Sequence, residues 1–163
     1  MSYPLVAYDP YTYQTSVPTD VKVGGLYRGL DTLGNDAIFR FVQHVNAVAV
    51  VAGHCAILAA APTASVWKVT NDVSGGATTP LAGPIGAGVY LFAVTENYYC
   101  FILVKGYHAT ALGDGSVAAG EMVTAKATDG TFDTATSTIP VVGACLVDDT
   151  GSPTTFPGLF NFL

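Results

Sequence analysis

The sequence predicts an all-β fold, on three observations. Nineteen threonines and 20 valines stand among the 163 residues, and β-branched side chains favour a pleated surface over a helix. Several short stretches alternate apolar and polar residues at period two. No stretch carries a 3.6-residue apolar period with caps at its ends. A chain of this length makes about one domain with a sizeable core. The organisation expected is an extended N-terminal arm over residues 1–25, then a single compact antiparallel β-barrel or β-sandwich over residues 26–163 with little helix and an apolar tail.

The arm holds Tyr3, Tyr8, Tyr11 and Tyr13 among Pro4, Pro10 and Pro18. Proline discourages both helix and central strand, and tyrosine offers apolar area with a polar tip, so these four tyrosines are candidate partner contacts. The same arm can wrap its own domain. Alternation begins at Ile38: Phe39, Phe41, Gln43 and Val45 share one face, Arg40, Val42 and His44 the other. Val48–Val51 and Cys55–Leu58 flank Gly53, where a strand can bend. The run Ala56–Ala61 reads as a helical turn or two, and Val66–Thr70 as a strand stopped by Asn71-Asp72 and Ser74-Gly75-Gly76.

The most apolar part is a hairpin, with strands Val89–Val94 and Tyr98–Val104 around Glu96-Asn97. Its second strand has no polar residue beyond tyrosine hydroxyls at either parity, so both faces must be covered, one by a barrel interior and the other by a further element or a subunit. Asp129-Gly130 between two alternating runs, Glu121–Ala127 and Phe132–Thr136, is a strong hairpin signal. Ile139–Val147 gives a last long strand, ended by Asp148-Asp149-Thr150-Gly151. The apolar tail then supplies four more candidate partner contacts, Phe156, Leu159, Phe160 and Phe162.

Charge narrows the function classes. Six basic against 12 acidic residues leave a net charge of −6 and no basic stripe for a phosphate backbone, so nucleic acid is not an expected partner. Charged residues make up 11% of the chain, against roughly 25% in a typical soluble protein. A surface so poorly charged guards weakly against association, which points to protein partners. The longest apolar stretch, Ala47–Ala61, is interrupted by His54 and falls short of the roughly 18–20 residues of a membrane span. Met1–Tyr8 lacks the basic and apolar regions of a secretory signal, so the expected place of synthesis is a cytoplasm.

No catalytic, cofactor-binding or metal-ligating group is expected. Cys55, Cys100 and Cys145 sit in apolar segments without C-x-x-C spacing and read as buried reduced thiols. His54 and Cys55 are neighbours on a strand, so their side chains point to opposite faces and cannot share an ion. The glycine runs Gly83–Gly88 and Gly113–Gly115 have no lysine at nucleotide-loop spacing and read as turns. Asp31/Asp36 and Asp148/Asp149 lack a calcium-loop spacing.

One stretch resembles a known family. Val104-Lys105-Gly106-Tyr107, Gly113-Asp114-Gly115-Ser116-Val117-Ala118-Ala119-Gly120-Glu121-Met122-Val123, Thr128-Asp129-Gly130-Thr131 and Pro140-Val141-Val142-Gly143-Ala144 together are similar to the small capsid decoration (cement) proteins of tailed bacteriophages. The resemblance implies a β-tulip-like domain without catalytic residues. It implies a structural virion protein on the capsid exterior that binds the major capsid protein, associates with itself as a trimer and fastens neighbouring subunits. The chain is longer than the smallest proteins of that kind, which leaves room for a head-fibre or tail-associated role. A β-barrel ligand-binding module, with aromatics clustered round a concave pocket, and an enzyme with a Cys–His site are the rival classes.

Overall fold

The computed structural model describes residues 3–6, 8–45, 49–59, 67–76, 78–79, 83–126, 128–136, 141–148 and 155–163. The protein is all-β, and its one helical element among the described residues is a single 3-10 turn at Val73–Gly75, capped by Asp72, whose side chain accepts from the Ser74 N–H. Ten strands join in one sheet, and that sheet closes on itself.

Two strands open it. β1 (Leu26–Leu30) and β2 (Asp36–His44) form a hairpin, with Leu30 opposite Asp36 and Leu26 opposite Arg40. Its turn is held by Asp31, which is buried; Oδ1 accepts from the Leu33 and Asn35 N–H groups and Oδ2 from the Tyr107 N–H. The strand thus begins before Ile38, and β1 is an element the alternation alone did not mark.

β3 (Cys55–Leu58) and β4 (Lys68–Thr70) follow, then a two-stranded ribbon of β5 (Thr78–Thr79) and β6 (Gly83–Pro84), then β7 (Gly86–Tyr90) and the 14-residue β8 (Tyr99–Leu112). The order β2-β4-β3-β7-β8, with β8 pairing back to β2, is a closed five-stranded barrel. One of its seams, β2 with β4, is parallel, so the antiparallel expectation holds for every pair but this one.

Two expectations are overturned here. Ala56–Leu58 is strand rather than helical turn, because Ala56 and Ile57 pair with β7 and Ile57 and Leu58 with β4; Ala60–Ala61 lie outside the described residues. The glycine run after residue 83 is strand rather than turn. Gly88 is needed for close approach: a Cβ there would stand 2.7 Å from the Leu103 carbonyl oxygen and 2.8 Å from Ile102 Cδ1. The hairpin of β7 and β8 is real, but β7 ends at Tyr90, and the turn is made by Glu96-Asn97, with Asn97 at φ 67°.

β8 runs past Val104 and enters a second ring. Its distal half pairs with β12 (Thr155–Asn161), which pairs with β11 (Gly143–Cys145), β9 (Met122–Ala125) and β10 (Phe132–Thr134) in turn; a single parallel bridge, Gly113 to Phe132, closes the circuit. The hairpin expected from Asp129-Gly130 is β9 and β10, with Gly130 at φ 69°. β11 is shorter than the expected strand over Ile139–Val147: Val141 and Val142 precede it, Leu146 and Val147 follow it, and residues 139–140 and 149–151 lie outside the described ones.

The core has two parts divided by the barrel wall. Inside the barrel lie Val42, Ala56, Val69, Tyr90, Cys100, Ile102 and Val104, with a polar pair among them, His44 Nδ1 at 2.8 Å from the Tyr90 hydroxyl. Outside, Phe39, Phe41, Phe101 and Leu103 belong to one cluster with Phe132, Phe156 and Phe160 of the second ring. Both faces of Cys100–Val104 are therefore buried, as the absence of polar parity required, and the cover comes from the chain's own second ring and arm. A fully buried aromatic or aliphatic side chain contributes about 1.5–3 kcal/mol, and the wall strands contribute on both sides.

Gly53 joins the rings. Its N–H donates to the Tyr90 carbonyl, its own carbonyl accepts from the Leu112 N–H, and the Cys55 N–H donates to Gly130, so residues 53–55 are tied to the ends of β7 and β8 and to the β9–β10 turn.

Candidate interaction surfaces

The arm lies along its own domain. Val6 N–H donates to Arg28 O and Arg28 N–H to Pro4 O, which adds the arm to the open edge of β1; further on, Gln14 and Tyr99 exchange both backbone bonds at 2.7 and 2.8 Å. Of the four tyrosines offered as partner contacts, Tyr8 and Tyr11 pack against the outer core and Tyr3 is half-buried. Burial, with Asp31 and Asp9 nearby, raises the Tyr11 hydroxyl pKa. Tyr13 alone of the four is exposed, its ring 5.2 Å from that of Tyr98.

The tail is β12, and its alternation divides the other four candidates. Phe156 and Phe160 are 0% and 3% exposed and meet Phe132 at 6.1 and 5.0 Å between ring centroids. They are core residues of this chain and have no surface left to present. Phe162 stacks on Phe160 at 6.0 Å and is half-buried. Leu159, on the opposite face, is exposed.

Leu159 belongs to a row. The strand register places Met122, Ala144, Leu159 and Tyr107 directly opposite one another across β9, β11, β12 and β8, and so on one face, the outward face of the second ring. Leu146, two residues beyond Ala144, extends it beside Pro157, whose carbonyl accepts from the Leu146 N–H. Met122 and Leu159 are 54% and 51% exposed. The row itself contains no ionisable group except the Tyr107 phenol, and Glu121, Lys105 and Asp148 follow or precede Met122, Tyr107 and Leu146 by one or two residues along the chain. Sequence reasoning missed Met122, Leu146 and Tyr107, because membership in the row depends on pairings between strands far apart in the chain.

The groups capable of nucleophilic or acid–base chemistry lie elsewhere. All three cysteines are buried, and burial pushes the thiols of Cys55 and Cys100 up, away from the reactive thiolate. His54 accepts from Asn71 Nδ2 at 3.1 Å, and burial lowers its pKa against a smaller opposing effect of Asp129. His108 is 6% exposed, and its Nδ1 accepts from the Thr110 N–H at 3.2 Å. Burial lowers its pKa to about 4. No group of three or more potential metal ligands gathers among the described residues.

These histidines set a pH dependence. A histidine held neutral in the native state costs nothing above its unfolded pKa of 6.5, and stability falls as pH drops from there to the folded value of about 4, because the unfolded chain takes the proton first. His108 alone is expected to remove about 3 kcal/mol across that window. Thermal melting at pH 7.5 and pH 4.5 checks it: the wild type should lose stability on acidification and H108Q should lose clearly less, whereas equal losses would assign the effect to other groups.

Comparison with family models and with curated proteins gave no match.

Proposed function

We propose that the protein is a structural component of a virion, a decoration protein that associates with copies of itself and fastens major capsid subunits from outside. The observation that carries this reading is the outward row of Tyr107, Leu159, Ala144 and Met122, a neutral apolar strip in a chain of net charge −6. Two copies so charged repel over most of their surfaces and approach best where charge is absent. The strip is therefore assigned to self-association. The resemblance to cement proteins lends support from a second direction, since the described segments that carry it make up the distal part of β8, the loop to β9, the β9–β10 hairpin and β11, which build this same ring. Exposed aromatics do not favour a ligand-binding module: among the described large apolar residues the exposed aromatic is Tyr13, on the arm.

Sedimentation of the purified protein, followed by binding to shells of the virus that encodes it, tests the reading. An oligomer that co-sediments with shells is expected, and a monodisperse monomer without affinity for shells would sink it. Leu159→Glu places a charge in the strip and is expected to weaken self-association about 100-fold. Its folding stability should stay within about 0.5 kcal/mol of the wild type, because the position is exposed.

A further inference from the structure

The second ring is shut at one seam by a single bridge, Gly113 to Phe132. Three ionisable side chains meet at that seam. Asp114 follows Gly113, Asp133 follows Phe132, and Lys126 follows the last residue of β9, its N–H donating to the Thr131 carbonyl. Lys126 Nζ contacts Asp114 Oδ2 and lies 3.3 Å from Asp133 Oδ2, so one amine faces two carboxyl groups. The Asp114 side chain is 12% exposed, and those of Lys126 and Asp133 are 30% and 33% exposed.

The far oxygen of Asp114 is engaged as well. Oδ1 accepts from the Ser116 N–H at 3.1 Å and from the Ser116 hydroxyl at 2.6 Å, and that hydroxyl stands 3.4 Å from Asp133 Oδ1. Asp133 Oδ1 is itself fixed by the Thr134 N–H at 2.7 Å. An ion pair needs only two opposite charges. Here a nucleophile contacts one carboxyl oxygen, two donors hold the other, and a second carboxyl stands beside the nucleophile, which together are the parts of an acyl transfer.

We propose that Lys126 and Asp114 condense to an intramolecular isopeptide bond, Nζ to Cγ, with Asp133 as the proton relay and Ser116 as the oxyanion donor. Asp133 carries one Nζ proton to Asp114 Oδ2, which leaves a neutral amine beside a neutral acid; two carboxylates around one site favour holding that proton. The amine lone pair attacks Cγ, and the charge that develops on Oδ1 is met by the two Ser116 donors. A second Nζ proton follows by the same relay, Oδ2 departs as water, and the carbonyl re-forms as an amide that keeps the third proton. Nothing is oxidised or reduced, and Asp133 returns to its starting state. Free ammonium and carboxylate do not condense in water, but groups held in reacting geometry reach effective concentrations of about 10⁵–10⁸ M. The bond ties the end of β8 to the end of β9 across the seam that one bridge otherwise closes. It needs no partner, so it stands apart from the virion reading.

Mass spectrometry of the denatured full chain tests the proposal. The wild type is expected one water lighter than its sequence requires, with fragmentation placing a branch between Asp114 and Lys126. K126R keeps the charge but offers no nucleophilic amine, and it should show the full mass. D133N should slow the linkage at least about 100-fold. A wild type at full mass overturns the proposal, as does a water loss that persists in K126R, which would assign it to a cyclic imide at Asp114-Gly115 or Asp129-Gly130. Linkage undiminished in folded D133N overturns the relay. Should either variant fail to fold, the wild-type fragments decide alone: a branch between Asp114 and Lys126 supports the bond, and its absence overturns it.

Discussion

Gly53→Ala is expected to cost about 4 kcal/mol or more, a large share of the roughly 5–15 kcal/mol by which a domain is stable. Two causes add. The residue sits at φ +87°, and a Cβ there would lie 1.7 Å from the Thr110 carbonyl oxygen and 2.8 Å from its carbonyl carbon. The obstacle is backbone of β8, so no side chain can swing away, and moving it strains the hydrogen bonds that Gly53 makes with Tyr90 and Leu112. Gly34→Ala separates the two causes, because Gly34 has φ +81° with nothing within 4 Å of a new Cβ. That variant should lose only about 1 kcal/mol, the cost of the backbone conformation alone. Denaturant midpoints of the two variants measure the difference, and near-equal values would show that β8 yields at no cost.

Phe132→Ala is expected to lose about 3–5 kcal/mol. The ring is 0% exposed and sits 5.0 Å from Phe160, 6.1 Å from Phe156 and 6.5 Å from Phe162 between centroids. Its backbone carries the Gly113 bridge that closes the second ring, so the surrounding strands cannot collapse freely into the space left behind. Phe132→Leu keeps most of the volume and should cost less than about 1.5 kcal/mol. Loss of near-ultraviolet circular dichroism at retained far-ultraviolet signal would place the damage in side-chain packing, and a loss below about 1 kcal/mol for the alanine variant would mean that the cluster repacks.

What could be read from the sequence was local. Asp129-Gly130 marked its hairpin because the turn needs a residue at positive φ, and Tyr98–Val104 declared its two buried faces by having no polar parity. The errors share a cause, which is that a residue's partner on a distant strand decides its role. Gly88 looked like turn chemistry until Leu103 was found where its side chain would be. Phe156 and Phe160 looked available as part of an apolar tail, yet the tail is strand β12, with a register shift between Phe156 and Gly158, and its alternation buries both rings. The outward row was invisible for the same reason. It is assembled from residues that alternation can place on a face but cannot place beside each other.

β8 serves as a stave of both rings, and this orders events in time as the chain is made. The first ring is complete once residue 112 has left the ribosome, whereas the second waits for β12, which pairs back with β8 from Asn161 at Lys105 to Thr155 at Leu112. Until then Phe101 and Leu103 lack much of their cover, and long-range pairing of this kind is slow. The nascent protein therefore passes through an interval in which its most apolar strand is half-clothed. The arm, synthesised before either ring and bonded to β1 and Tyr99, is in place to shield part of that face meanwhile through Val6, Tyr8 and Tyr11.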